Sequence, residues 1–166
     1  MTALPIRVLP DPVLRAKAKR VPSIDASIHK LIADMIDSMY EANGVGVAAP
    51  QVGVSLRVVV IGMPDEDPFA LINPEIVKVS GERDVDEGCL SVPGYRGELK
   101  RHSLVIAKGL TPEGKEIRIK SRDDLLAQAL EHEIDHLNGT LYIDHLDSLD
   151  TLVKIDEEAR REGATR

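Results

Sequence analysis

A helix that must bury a carboxylate is the strongest constraint this chain places on its own fold. From about Asp123 to Asn138 the residues follow helical spacing, with Ser121 and Asp124 placed like a capping box and Gly139 as a stop. Counting ~100° per residue from Leu125 puts Ala129 at about 40°, Leu126 at about 100°, Leu137 at about 120° and Leu130 at about 140°, which marks the buried arc. Glu133 lands in the middle of that arc, His132 and His136 lie at its edge, and Gln128, Asp135, Asp124 and Glu131 share a polar arc. An ionised carboxylate buried without a partner is costly, so Glu133 needs a cation, hydrogen bonds or a proton around it.

The rest of the chain supplies a setting for such a helix. Ile28, Leu31, Ile32, Met35, Ile36 and Met39 form one helical stripe, with Ser23, Asp25 and Ser27 as candidate N-caps and Asn43 and Gly44 to end it. Leu56–Ile61, Glu75–Val79, Ser103–Lys108 and Lys115–Lys120 read as strands, the last two joined by a turn at Thr111–Gly114 into an antiparallel hairpin. The proline-rich stretch Pro5–Pro22 reads as an arm laid over the core, and a further helix is expected from near Ser148, fading into a polar tail at Arg160–Arg166. Strands and helices that do not alternate regularly imply an α+β fold. Antiparallel or mixed sheets would pack around the central helix, with a C-terminal helix, in one domain over residues 1–166.

Composition removes several function classes. With 28 acidic against 21 basic side chains the net charge is −7, which repels phosphate backbones, and 2% aromatic content leaves little for bases to stack on. Nucleic-acid binding is not expected, and the core has to be built from Val, Ile, Leu and Ala. The longest apolar run, from Val58 through Met63, is far below the ~18 residues of a membrane span, so no membrane segment is expected. Met1–Arg7 has neither a basic cluster nor a following apolar stretch, so no secretory signal is expected either.

The segment His132-Glu133-Ile134-Asp135-His136 sets two imidazoles one helical turn apart, able to reach one metal ion, with a carboxylate beside them to handle a proton. A catalytic site of this kind usually takes three protein ligands and a water. Downstream, Tyr142 stands where an extended metzincin pattern has histidine, and His145 or Asp144 would have to substitute from beyond the helix stop. Upstream lies the one cysteine, Cys89, within Glu87-Gly88-Cys89-Leu90-Ser91. A lone cysteine is commonly a small buried hydrophobe, yet the adjacent glycine lets backbone come close to whatever the thiol touches.

Taken together, Gly44–Gln51 (GVGVAAPQ), Glu87–Ser91 (EGCLS) and His132–His136 (HEIDH) resemble, in order and separation, the three motifs of the peptide deformylases. The resemblance extends through Pro10, Asp11 and Pro12 and the helix before Gly44 to nearly the whole chain, and the segment after Ser148 is similar to the bacterial branch with a helical C-terminus. It implies a metal hydrolase that removes the N-formyl group from the N-terminal formyl-methionine of newly synthesised polypeptides and releases formate. Implied metal ligands are Cys89, His132 and His136, with water or hydroxide as the fourth. Ferrous iron is the implied usual ion, with zinc, nickel or cobalt able to take the same place. Glu133 is implied as general acid/base, the Gln51 amide and the Leu90 backbone N–H as oxyanion donors, and backbone groups of Val45, Gly46 and Gly88 as a template holding substrate like an added strand. The implied partners are formyl-methionyl nascent peptides in the cytoplasm. A transient ribosome association, and either a monomer or a homodimer, are compatible with this.

One position departs from the family pattern: Glu131 stands where Gln is usual. Its helical direction, roughly 90° or more from both histidines, keeps it out of the ligand set. Asp135 reads as a solvated charge, and His29, His102 and His145 as surface residues. Competing readings are a peptidase with a downstream third ligand, a non-catalytic metal staple, and Cys89 as a nucleophile with a histidine base.

Overall fold

The computed structural model describes residues 2–155. Along them run helix α1 (Ala26–Glu41), strands β1 (Gly46–Ala48), β2 (Val58–Ile61), β3 (Phe69–Ser80), β4 (Arg83–Cys89), β5 (Val92–Arg101), β6 (Leu104–Leu110) and β7 (Glu116–Arg122), helix α2 (Leu125–Leu137), and strand β8 (Val153–Lys154). One sheet has the order β1-β2-β3-β6-β7 and the other β4-β5-β8, and neighbouring strands in both are antiparallel. This is the α+β architecture expected, with the second helix towards the C-terminus.

Strand β2 explains the layering. Its four residues are all buried, and successive side chains point to opposite faces. Val58 and Val60 join Ile28, Ile32, Met35 and Met39 of α1, whereas Val59 and Ile61 join Ala129, Leu130, Ile134 and Leu137 of α2. The larger sheet is therefore a layer between two helices, and a strand covered on both faces reads as an unbroken apolar run. A third cluster of Val85, Cys89, Leu99 and Tyr142 belongs to the smaller sheet. Helix α2 carries its two histidines against that sheet.

Local signals hold at several ends and shift at others. Asp25 caps α1 by accepting from the N–H groups of Ser27 and Ile28, and Asn43 takes the left-handed conformation (φ 57°) after it. The β6–β7 hairpin closes with Thr111 N–H on Lys115 O at 2.8 Å and Gly114 at φ 85°. Helix α2 starts later than a cap at Ser121 would give. Asp123 is left-handed (φ 53°), and Asp124 is the cap, accepting from Ala127 N–H while the Ser121 hydroxyl donates to Asp124. Leu125, the zero of the helical count and just outside that arc, is 41% exposed, while Ala127 and Ile134, on the far side of it, are buried. Because α2 is covered on more than one side, its buried arc is wider than one stripe.

Strand β3 is longer than expected, and β1, β4, β5 and β8 were not legible as strands. Charged residues alternate with buried ones along β4 and β5, and their many Gly, Asp and Glu residues imitate loop composition. The helix expected from Ser148 is, over the described residues, a single 3-10 turn at Leu149–Thr151 followed by β8, which pairs Val153 with Arg96 and Lys154 with Tyr95. Packing Leu152 against the third cluster favours an extended exit. The remainder of that segment and the polar tail lie outside the described residues. The N-terminal arm does lie over the core: Leu14 is fully buried, Arg7 N–H donates to Gln51 O at 2.7 Å, and Leu9 N–H donates to Ser91 O at 3.0 Å. No helix of the described residues is long and apolar enough to cross a membrane.

Candidate metal centre

Strand alternation and helical spacing bring the donor atoms together. Val85, Glu87 and Cys89 are the buried positions of β4, and the ladder slips between Gly88 and Cys89, a bulge that re-aims the last side chain. Helix α2 presents His132 and His136 one turn apart. Cys89 Sγ lies 3.3 Å from His136 Nε2, which lies 3.3 Å from His132 Nε2. All three donor atoms are within 4.8 Å of one another, on buried residues. Donors held ~2.0–2.3 Å from one ion in a tetrahedral array sit about 3.5 Å apart, so this soft sulfur and two imidazole nitrogens fit a divalent ion.

Two buried carboxylates flank His132 and behave oppositely. Glu87 Oε1 is 2.7 Å from His132 Nδ1, a contact that leaves Nε2 free to ligate when Nδ1 carries the proton. The same carboxylate is gripped by Arg101 through Nε and Nη2, each at 2.7 Å. Burial pushes the Glu87 carboxyl up, but hydrogen bonds from Arg101 and His132 outweigh it and bring the pKa to about 2. Glu133 has no such grip. It is 4% exposed, and its Oε1 has no hydrogen-bond partner among the described residues. Burial drives its pKa up to about 7, only partly countered by His132. An orphaned buried carboxylate beside three converging donors is a second sign that a cation with its own hydration belongs here.

The two imidazoles are also unequal. Burial opposes charge on His132, yet Glu133, Cys89 and Glu87 together hold its pKa well above the ordinary value. His136 is held well below by burial and by its neighbour His132, and its Nδ1 lacks a partner among the described residues. Tyr142 stacks on His132 at a centroid distance of 6.4 Å, a packing role in place of a third ligand.

Across from the helix, the 3-10 turn Ala49–Val52 fixes Gln51. Its Oε1 accepts from Ala48 N–H at 2.9 Å, and its Nε2 is 3.1 Å from Ser91 Oγ and 3.6 Å from Cys89 Sγ, so the donor end of the amide faces the sulfur. A cavity of about 220 Å³ opens here, lined among others by Val45, Gly46, Gln51, Gly88, Leu90 and Glu133, with exposed Leu125 on its wall. Gly46 and Gly88 belong to β1 and β4, each the edge strand of its sheet, so two backbone edges border one cavity. A Cβ on Gly46 would fall 2.7 Å from Glu133 Oε2, so the glycine is needed for the carboxylate itself.

The site residues that the family resemblance implies thus all lie at the cavity or in the donor set. The alternative third ligands are engaged elsewhere. Asp144 takes Arg15 at 2.6 Å and caps Leu141 N–H, and His145 Nε2 meets Asp135 at 2.9 Å. Glu131 accepts from His102 N–H at 2.9 Å and contacts the His102 ring at 2.7 Å, outside the donor set as expected. Asp135 is a correction: it is no solvated charge but accepts from Arg101 Nη1 at 2.8 Å, because the guanidinium presents a third nitrogen once Glu87 has taken two. Sequence reasoning assigned nothing to Glu87, Arg101 or Ser91. Glu87 was visible in principle, two residues before Cys89 on a strand and therefore on its face; Arg101 carries no local signal.

Comparison with known proteins gives one family description throughout. The family profile described as "Polypeptide deformylase" matches residues 3–152. A protein named peptide deformylase from Dehalococcoides mccartyi (strain CBDB1) is 60% identical over 157 residues, 93% of this chain and 93% of that one. The crystal structure of a peptide deformylase from Legionella pneumophila superposes with TM-score 0.86 at 45% identity, covering 97% of this chain and 93% of that one. A peptide deformylase from Ehrlichia chaffeensis in complex with actinonin superposes with TM-score 0.87 at 38% identity, covering 91% and 92%.

Proposed function

This chain belongs to the peptide deformylase family, a metal-dependent enzyme that removes the N-formyl group from nascent polypeptides, and we propose which of its atoms carry that reaction. Cys89, His132 and His136 hold the ion. The observation that carries this reading is the convergence of one sulfur and two Nε2 atoms beside an orphaned carboxylate. When bound, a divalent ion lowers the pKa of a coordinated water from 15.7 toward ~7 and polarises a carbonyl oxygen.

The remaining chemistry belongs to the chain. Glu133 is the general acid/base: it accepts the proton of the attacking water and delivers it to the departing amine, a role supported by a buried Oε1 that no other described group engages. The Gln51 Nε2 and the Leu90 backbone N–H donate to the oxyanion that develops on the formyl oxygen; Gln51 is supported in this by its fixed carbonyl end. Val45, Gly46 and Gly88 hold the substrate backbone between the β1 and β4 edges, in the manner of strand addition. Formate and the freed peptide amine are the products.

Ferrous iron is the physiological ion in this reading, as the family resemblance implies, and zinc, nickel or cobalt would occupy the same thiolate and imidazole donors. The substrates are formyl-methionyl nascent chains in the cytoplasm, met transiently at the ribosome by a monomer or homodimer formed from a single catalytic domain spanning residues 1–166. Anaerobically purified protein should release formate from a formyl-Met peptide with about one ion bound per chain by elemental analysis. Turnover that persists after complete metal removal would overturn the assignment, as would C89S protein that keeps its ion.

A further inference from the structure

Arg101 is a buried guanidinium with two carboxylates from different elements bound to it. It is the last residue of β5, its side chain is 3% exposed, and it spends Nε and Nη2 on Glu87 of β4 and Nη1 on Asp135 of α2. Glu87 Oε1 is shared: the atom that accepts from Arg101 Nη2 also faces His132 Nδ1. Asp135 stands three residues after His132 on the same helix, and the Oδ2 that accepts from Arg101 also meets His145 Nε2 at 2.9 Å. The chain of contacts runs His132, Glu87, Arg101, Asp135 and returns to the helix that carries His132, closing a loop between the smaller sheet and α2.

Such a loop fixes an orientation that a single hydrogen bond leaves free. A lone Glu87 could swing about its own side chain and carry the imidazole with it. Held by two parallel N–H···O contacts from a planar fork, it has one position relative to β5, and Asp135 ties that fork to the helix. Metal-binding histidines depend on such an acceptor at the other ring nitrogen for both tautomer and ring angle.

We propose that Arg101 and Asp135 are positioning residues for the metal centre, acting through Glu87 to set the angle at which His132 Nε2 meets the ion. The inference rests on the metal-site reading above. His136, whose Nδ1 has no partner among the described residues, has no comparable brace, so the effect falls on one ligand of the pair.

The test uses the full chain loaded with cobalt(II) and compares wild type with R101K, R101M and D135N. Affinity is read by competition with a chelator, and geometry by the visible ligand-field bands and the thiolate-to-cobalt charge-transfer band. Arg101 variants are expected to bind cobalt about 10–100-fold more weakly, with shifted ligand-field bands and the charge-transfer band retained. D135N, which leaves the Arg101–Glu87 fork in place, is expected to shift the same bands in the same direction with a loss of severalfold. Should the Arg101 variants fail to fold, D135N decides alone. Unchanged affinity and spectrum in D135N and in every Arg101 variant that folds would overturn the proposal. A wild-type protein without the charge-transfer band, or C89S protein that retains it, would instead end the metal-site reading and this inference with it.

Discussion

Glu87 and Glu133 are the same residue type, buried to the same degree and set on either side of one imidazole, yet one is brought down to about 2 and the other raised to about 7. Desolvation acts on both in the same direction. What separates them is that Glu87 meets a guanidinium fork and an imidazole, whereas Glu133 Oε1 meets nothing among the described residues. A carboxylate that is held ionised can orient a neighbour but cannot take a proton near neutral pH; one left without partners can exchange a proton but orients nothing. In the proposed mechanism the site divides support and chemistry between them by environment.

Breaking the chemical side should have the larger effect. E133Q is expected to lower formate release by about 10²- to 10⁴-fold while elemental analysis still finds the ion, because the amide keeps the shape and cannot carry the proton. Loss of the ion together with activity would place Glu133 among the supporting residues and erase the contrast. On the supporting side, E87Q removes the charge facing Arg101 and weakens the hold on His132 Nδ1. Metal affinity by chelator competition is expected to fall by about 10–100-fold, with activity recovering as metal is added in excess. Activity that stays low at saturating metal would give Glu87 a part in the chemistry.

The Glu133 half of this division was legible in the sequence, and the illegible half has a physical reason. Histidines at i and i+4 with Glu133 between them in an apolar arc specify a helix and a buried carboxylate without reference to anything distant, and two imidazoles able to share an ion. Leu56–Ile61 reads as a strand, and the structure buries its Val58–Ile61 on both faces. Arg101 could not be foreseen, since its role depends on the β4–β5 register that sets it opposite Arg83 and brings its fork to Glu87, and register is a tertiary quantity. Asp135 was misread for the same reason: on the helix alone its direction is polar, and only the neighbouring strand turns that polarity into an ion pair. Over residues 149–155 the segment after Ser148 spends Leu152 on the third cluster, so packing overrode helical propensity there.

Gly46 offers a finer adjustment of the same contrast. Its added Cβ would lie 2.7 Å from Glu133 Oε2, so G46A has to displace the carboxylate or the edge strand. Overpacking of this kind costs about 1–3 kcal/mol, and formate release should fall by about tenfold or more with metal content unchanged. A G46A enzyme with wild-type kinetics would mean that Glu133 has room to relax and that its position is not critical.

The smallest effect is on stability, and its sign separates the two carboxylates. In metal-free protein, Glu87 has a folded pKa of about 2, below its ordinary 4.5. It stabilises the fold above about pH 4.5, and that contribution is lost as pH falls toward 2. Glu133 runs the other way, with a folded value of about 7 above the ordinary 4.5. The folded state keeps a proton that the unfolded chain releases, so stability drains away as pH rises from 4.5 to 7. Removing the titrating group removes that slope. Metal-free E133Q is therefore expected to melt with the wild type at about pH 4 and roughly 7–14 °C above it at about pH 8, measured by thermal unfolding in the presence of chelator. E87Q should show the reverse, melting below the wild type at neutral pH and approaching it only in acid. Parallel curves for E133Q and the wild type would mean that Glu133 is ionised in the fold as readily as in the unfolded chain, and the difference between the two carboxylates would then lie in what they touch and not in what they carry.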